Sequence, residues 1–305
     1  MIEIRQILCP VDFSDHSRRA LDHAFAIAKW YDSSVTALHV LSFVPVAAYA
    51  PGSPMFPPIP LTDVDREQVL VDLKRFAETP SAGAVRMEAR LREGHTVDEI
   101  LAEAEALPAD LLVIGTHGRS GFERLVLGSV AERLVRKASG PVLSVPPQVG
   151  TASSVFKRIL CPLDFSDASI QALKYAMSLA QEADARLTVL HVMQYKISEL
   201  PEMHDPRASG RPLSLDEFRA RCEQETRRRL EEAVPQDVKA YARVETKIAS
   251  GKPYQAILAE AAQEEADLIV MGVHGRNPVD LMFLGSTTQH VLRRAGCPVL
   301  TLRSA

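Results

Sequence analysis

The chain has 305 residues, 46% of them hydrophobic and 24% charged, with a net charge of -4. The length suits two domains of about 150 residues each, and the composition is that of a globular protein. The acidic balance excludes a broad basic face for nucleic acid, and no apolar run approaches the roughly 18 residues of a membrane span.

The N-terminus, MIEIRQILCPVD, lacks the charged and apolar regions of a signal peptide. The four cysteines are irregularly spaced and make no disulfide framework. These features predict a reducing, cytoplasmic setting.

Taken in chain order, QILCPV (6–11) is a short apolar run. HSRRALDHAFAIAKWY (16–31) follows and places Ala20, Ala24, Ile27, Ala28 and Tyr31 on one helical stripe. VTALHV, MEARL, LLVIG and VLSV come next, rich in Val, Ile and Leu and separated by amphipathic stretches. The nearly continuous apolar runs suit central strands of a parallel sheet covered on both faces. Strand alternating with helix predicts an open α/β sheet with right-handed crossovers. Ligands of such sheets bind beyond the carboxyl ends of the strands, at the switch in strand order.

The series is then written again. RQILCPVDFSDHSRRALDHAFAIA (5–28) returns as KRILCPLDFSDASIQALKYAMSLA (157–180), and SVTALHVL (34–41) as RLTVLHVM (186–193). REGHTVDEIL (92–101) returns as ASGKPYQAIL (249–258), and SGPVLSV (139–145) as GCPVLTL (296–302). A period of about half the chain means two copies of one domain rather than a solenoid. The expected division is a domain over 1–147, a linker over 148–155 and a domain over 156–305.

One pattern repeats with its spacing intact. GTHGRSGFERLVLGS (115–129) and GVHGRNPVDLMFLGS (272–286) both read glycine, two residues, glycine, nine residues, glycine, serine. Gly115 ends the fourth strand and Gly118 sits in the next turn, where glycine permits positive φ and close approach of another group. Gly128 and Ser129 open a helix. Ser129 with Glu132, and Ser286 with Gln289, read as capping boxes. A bared helix start suits a phosphate, although ordinary turn glycines would read the same way. Neither copy has the GK[ST] of a Walker A loop, and G-x-G-x-x-G is absent.

With the strand ending CPVDFSD or CPLDFSD and the terminal PVL strand, this motif resembles the universal stress protein superfamily in tandem form, its ATP-binding subgroup. The resemblance covers nearly all of both halves. It implies an adenine nucleotide alpha-hydrolase-like fold, with a parallel five-stranded sheet of order 3-2-1-4-5 and helices on both faces in each domain. It also implies one site per domain for ATP or another adenine nucleotide, with Mg2+ or Mn2+ on the phosphates.

By this resemblance Asp12 or Asp164, after Pro10 and Val11 or Pro162 and Leu163, contacts the adenine side. Val40 or Val192 lines the base pocket. Ile114 and Gly115 with Gly118, or Met271 and Gly272 with Gly275, lie along the ribose and phosphates. Gly128, Ser129 and Val130, or Gly285, Ser286 and Thr287, hold phosphate oxygens. The spacers differ, Ser120 and Gly121 standing where the second copy has Asn277 and Pro278. Proline fixes φ and removes an N–H, so the two sites need not match in affinity.

Several residues keep two readings. Asp12 and Asp164 serve either the ligand or the start of the helix that follows. His117 and His274 touch a ligand or make a structural hydrogen bond. Arg119 and Arg276 reach a phosphate or lie solvated. His39 and His191 read as core histidines, because no Cys or His stands at ligand spacing, and no metal site is expected of the protein alone. Cys9 and Cys161 read as small buried residues. RRRLEE (227–232) reads as a solvated face.

The loops 43–63 and 195–217 are long enough to be lids, partner surfaces or disordered. PVLSV and PVLTL are edge strands that invite pairing. The family pairs them antiparallel, so the halves of a tandem chain can pair with each other, and a homodimer is open. The expected function is a nucleotide-dependent regulatory or stress-response protein acting on unknown protein partners. Slow ATP hydrolysis or phosphotransfer is the alternative, weakened by the lack of a lysine clamp or an obvious general base. A nucleotide-free scaffold is the third reading.

Overall fold

The computed structural model describes residues 2–42, 63–78, 82–117, 127–149, 156–194, 215–235, 243–275 and 284–303. The chain divides into two compact units, Glu3–Val155 with Gly296–Thr301, and Phe156–Ala295 with Met1–Ile2 and Leu302–Ser304.

In the first unit the order is β1 (Gln6–Pro10), α1 (Asp15–Tyr31), β2 (Ser34–Leu41), α2 (Asp63–Ala77), β3 (Met87–Glu93), α3 (Thr96–Ala106), β4 (Leu111–Gly115), α4 (Ser129–Lys137) and β5 (Val142–Val145). The strands lie in the order β3-β2-β1-β4-β5, all parallel, as expected. Ile7, Leu8 and Cys9 of β1 and Leu111 to Ile114 of β4 are buried, as central strands covered on both faces must be.

The second unit repeats the series as β6 (Arg158–Pro162), α5 (Asp167–Ala183), β7 (Arg186–Met193), α6 (Leu215–Ala233), β8 (Arg243–Ser250), α7 (Pro253–Gln263), β9 (Leu268–Gly272) and α8 (Ser286–Arg294). Its parallel strands run β8-β7-β6-β9. The last strand is β10 (Val299–Leu302). Residues Val299 to Thr301 belong to the first unit, where β10 runs antiparallel to β5 with Leu300 opposite Leu143. The edge of β5 is thereby paired, which removes the liability of an open strand.

The helix signals act as the sequence implies. Ser14 caps α1 by accepting from the Ser17 N–H at 3.2 Å, and Asp32 ends it in the left-handed region with φ 53°. Ser166 and Asp184 do the same for α5. The predicted stripe of α1 turns inward: Ala20, Ala24, Ile27 and Ala28 are buried, and Tyr31 lies at its margin. On α6, Arg227 pairs with Glu223 and Arg228 with Glu225 and Glu232, all exposed, so RRRLEE is the solvated face expected. The loops 43–63 and 195–217 fall outside the described residues up to Asp63 and Leu215, which open α2 and α6.

Cys9 and Cys161 are fully buried, and burial pushes both thiols well above the ordinary thiol range. Cys297 is buried too, whereas Cys222 on α6 is partly exposed. Thiol-specific reagent is therefore expected to modify one cysteine rapidly in the native protein and all four after denaturation, with peptide mapping placing the fast adduct on Cys222. Fast modification of Cys9 or Cys161 would mean that their strands open readily.

Candidate functional site

The ends of β1 and β4 meet the first turn of α1. The Val11 N–H donates to the Leu38 carbonyl at 2.8 Å, continuing the ladder one residue past β1. The chain then turns at Asp12 and Phe13. Asp12 Oδ1 accepts from the Ser14 backbone N–H at 3.0 Å and from the Ser14 hydroxyl at 2.5 Å. Asp164 holds Ser166 with the same two bonds. Both readings of these aspartates therefore bear on one side chain. One carboxylate oxygen orients the residue that caps the helix, although Ser14 and Ser166, not the aspartates, are the caps.

Phe13 and Phe165 were not legible as special. Each sits at φ 63°, a left-handed conformation that a bulky residue rarely adopts. Such positions cost about 1–3 kcal/mol and persist only where neighbours hold them. Phe13 lies 4.7 Å from the His39 ring and 5.5 Å from Phe76. Phe165 lies 5.0 Å from His191, with Arg229 over its face at 4.0 Å. The histidines are fixed in turn, each donating Nδ1–H at 2.6 Å, His39 to the Val11 carbonyl and His191 to that of Leu163. They are the core histidines expected, and they lock the tight turn beside Asp12 and Asp164. No propensity rule signals a phenylalanine in this conformation.

Of the two reasons expected for these glycines, positive φ and close approach, the described residues show the second. Among the described glycines positive φ falls at Gly83, Gly94 and Gly251, not at Gly115, Gly272 or Gly275. The requirement is close approach. A Cβ on Gly115 would stand 3.1 Å from the His16 carbonyl oxygen, and one on Gly272 would stand 2.9 Å from Ala168 C and Cβ. The first glycine thus lets the strand end touch the opening turn of α1 or α5. A Cβ on Gly275 would stand 2.8 Å from Asp164 Oδ2, so the second glycine faces the other oxygen of that carboxylate.

The third glycine closes the loop. The Gly128 N–H donates to the Thr116 carbonyl at 2.8 Å, and the Gly285 N–H to that of Val273 at 3.1 Å. These glycines correct the expected capping boxes. Gly128 and Gly285 are the N-caps, with no side-chain cap bond, and their carbonyls accept from the Glu132 and Gln289 N–H groups at 2.9 Å. Ser129 and Ser286 are the first helical residues, so Glu132 and Gln289 stand one position too late to complete a box. Among the described residues, neither helix start has a side-chain cap bond.

Thr116 Oγ1 lies 3.0 Å from His117 Nδ1, and the His117 ring lies 5.7 Å from that of His16. His274 is 9% exposed, its Nε2 has no hydrogen-bond partner among the described residues, and its carbonyl accepts from the Ser166 hydroxyl at 3.5 Å. Val11, Val40, Ile114, Leu163 and Met271 are buried. Pro10 and Pro162 end their strands beside them, Val192 is the last residue but one of β7, and Val130 and Thr287 follow the helix starts. Gly118, Arg119 and Arg276, with the spacer residues Ser120, Gly121, Asn277 and Pro278, lie outside the described residues.

The model of the universal stress protein family matches residues 3–146 and again 156–303. The chain belongs to the universal stress protein family. Its two copies have the family's α/β, adenine nucleotide alpha-hydrolase-like fold. A universal stress protein of Mycolicibacterium smegmatis is 26% identical over 304 residues, covering 97% of this chain and 96% of that one. Universal stress protein MJ0531 of Methanocaldococcus jannaschii is 37% identical over 142 residues, 46% of this chain and 81% of its own. The crystal structure of a universal stress protein from Archaeoglobus fulgidus is similar in fold, with a TM-score of 0.65 at 23% identity over 99% of this chain and 97% of that one. Among the described residues no helix is long and apolar enough to cross a membrane, and no group of three or more His, Cys, Asp or Glu is set to hold a metal.

Proposed function

We propose that each repeat of this universal stress protein holds one adenine nucleotide, ATP or a close relative, where the first and fourth strands end, and that occupancy regulates partner binding. The observation that supports this most directly is the approach of Asp164 Oδ2 to Gly275, where a Cβ would lie 2.8 Å from the oxygen. A carboxylate at the strand end stands against a glycine with no side chain, which suits a purine edge and the ribose and phosphates behind it. The helix starts at Gly128 and Gly285, glycine N-caps without a side-chain cap bond, offer N–H groups and a positive dipole end to phosphate oxygens. In this reading Asp12 and Asp164 meet the base edge. Val40 and Val192 line the base pocket, and Ser129 and Ser286 bind phosphate. A divalent ion accompanies the phosphates, held mainly by them.

Acid denaturation of freshly purified protein, with the released nucleotide counted by chromatography, tests the proposal. About two ATP per chain is the expected result, as one site per repeat requires. Mostly ADP would favour hydrolysis. No nucleotide, followed by no heat on titration with ATP and magnesium, would overturn the reading in favour of a scaffold.

A further inference from the structure

The first repeat contains a cavity of about 460 Å3 between the start of α3 and the outer side of α4. Val130, Arg133, Arg136 and Lys137 line one wall, spaced so that they share a face of α4. The Gly94–Asp98 turn lines the other, and the Ser42 and Thr96 hydroxyls join at 2.7 Å beside it. His95 is the N-cap of α3 and makes no side-chain cap bond, so the helix start is not closed by its own cap.

Three cations and one carboxylate line this cavity, with Glu99 against Gly94 at its edge and Arg136 engaged in a further interaction. Asp98 is the one carboxylate among its lining residues, and it answers Lys137 at 3.7 Å, with both side chains well exposed. Such a pair neutralises little. Arg133 makes no ion pair with any described residue.

The second repeat has the same backbone here and different side chains. Tyr254 stands where the first repeat has Val97, and His290 where it has Arg133. Their rings stack at 4.3 Å with an interplanar angle of 25°, and Arg294 lies over Tyr254 at 5.6 Å. Pro253 opens the helix in place of Thr96. An aromatic stack thus bridges the two helices at the position that is open in the first repeat.

We infer that the first repeat carries an anion pocket between α3 and α4, closed by Tyr254 and His290 in the second, and that its ligand is a small phosphate ester. Guanidinium groups match phosphate oxygens in pairs, and the start of α3 adds a positive dipole end. The volume suits a small molecule, since ligand pockets run from about 300 to 1,000 Å3. Val97 and Val130 give an apolar wall for the carbon part of an ester. Only Val130 is shared with the residues assigned to the nucleotide, so the inference goes beyond that proposal.

The test uses the full chain and two probes, phenyl phosphate and pyrophosphate, titrated by calorimetry at low salt with ATP already saturating. The parent is expected to bind one phenyl phosphate per chain. Two variants are compared with it: V97Y/R133H, which copies the closed second repeat, and R133Q, a surface change that leaves the fold intact. Each is expected to bind the probe about tenfold more weakly, the loss that follows from a missing charged hydrogen bond. ATP titrations are run separately on the same proteins and are expected to be unchanged. Their failure would count against the nucleotide proposal alone. Tighter binding of phenyl phosphate than of pyrophosphate assigns an ester, and the reverse assigns a free polyphosphate to the same cations. No binding of either probe by the parent, or equal binding by the parent and R133Q, overturns the inference.

Discussion

Gly272→Ala is expected to loosen the second repeat markedly, while the equivalent Gly115→Ala is nearly neutral. Alanine shortens the list of unfolded conformations and so stabilises by about 0.4–1 kcal/mol wherever the native φ suits it. Neither glycine is in the left-handed region, so both changes receive that benefit. What differs is the space. At Gly115 the new Cβ would meet the His16 carbonyl at 3.1 Å, a contact relieved by a shift of a few tenths of an ångström. At Gly272 it would meet Ala168 C and Cβ at 2.9 Å and the Ser169 N at 3.0 Å, atoms of the opening turn of α5. Overpacking against backbone costs about 1–3 kcal/mol, which outweighs the gain. Hydrogen exchange on peptides from each repeat would show which half opens more often. Greater loosening by Gly115→Ala would mean that the approach to the helix is not why glycine stands there.

Asp164→Asn is expected to leave stability nearly unchanged and to weaken ATP binding about tenfold or more. An amide oxygen accepts from the Ser166 N–H and hydroxyl as Oδ1 does, so the cap of α5 survives. The second oxygen becomes an NH2 group, a donor that in the proposed site would meet the amino donor of the base edge. Loss of a hydrogen bond to a charged group is worth about 1.5–3 kcal/mol, which is the source of the expected factor. Asp164→Ala should in addition lower stability by about 1 kcal/mol, because Ser166 is no longer held in its capping position. Gly275→Ala should mimic the binding loss, since its Cβ would displace Asp164 Oδ2. Unchanged ATP affinity in Asp164→Asn would reduce the aspartate to a turn residue. The same comparison at Asp12 reports on the first repeat.

Much of this was legible without coordinates. The run QILCPV and its repeat ILCPL mark β1 and β6 because a central strand carries apolar residues on both faces. The stripe of α1 and the mixed charges of α6 follow from helical periodicity. The duplication identifies equivalent residues, and the glycine spacing points to the ends of β4 and β9. The reading failed where the answer depended on neighbours distant in sequence. Gly115 was placed rightly at the end of β4, but that its close neighbour is the His16 carbonyl of α1 shows only in three dimensions. Ser129 looked like a cap, yet the backbone bond from Glu132 to Gly128 shifts the helix register by one. No sequence pattern singles out Phe13, which sits in the left-handed region against His39 and Phe76.

By itself the sequence determined the repeat, the element order, the buried faces and the family, because periodicity and spacing along the chain record those directly. Only the tertiary structure decided which backbone each glycine must admit, which oxygen of Asp164 faces Gly275, and that Tyr254 and His290 fill a groove left open beside Arg133. These are distances between segments far apart in sequence. Close packing sets them to a few tenths of an ångström, and no local pattern of residue types encodes them.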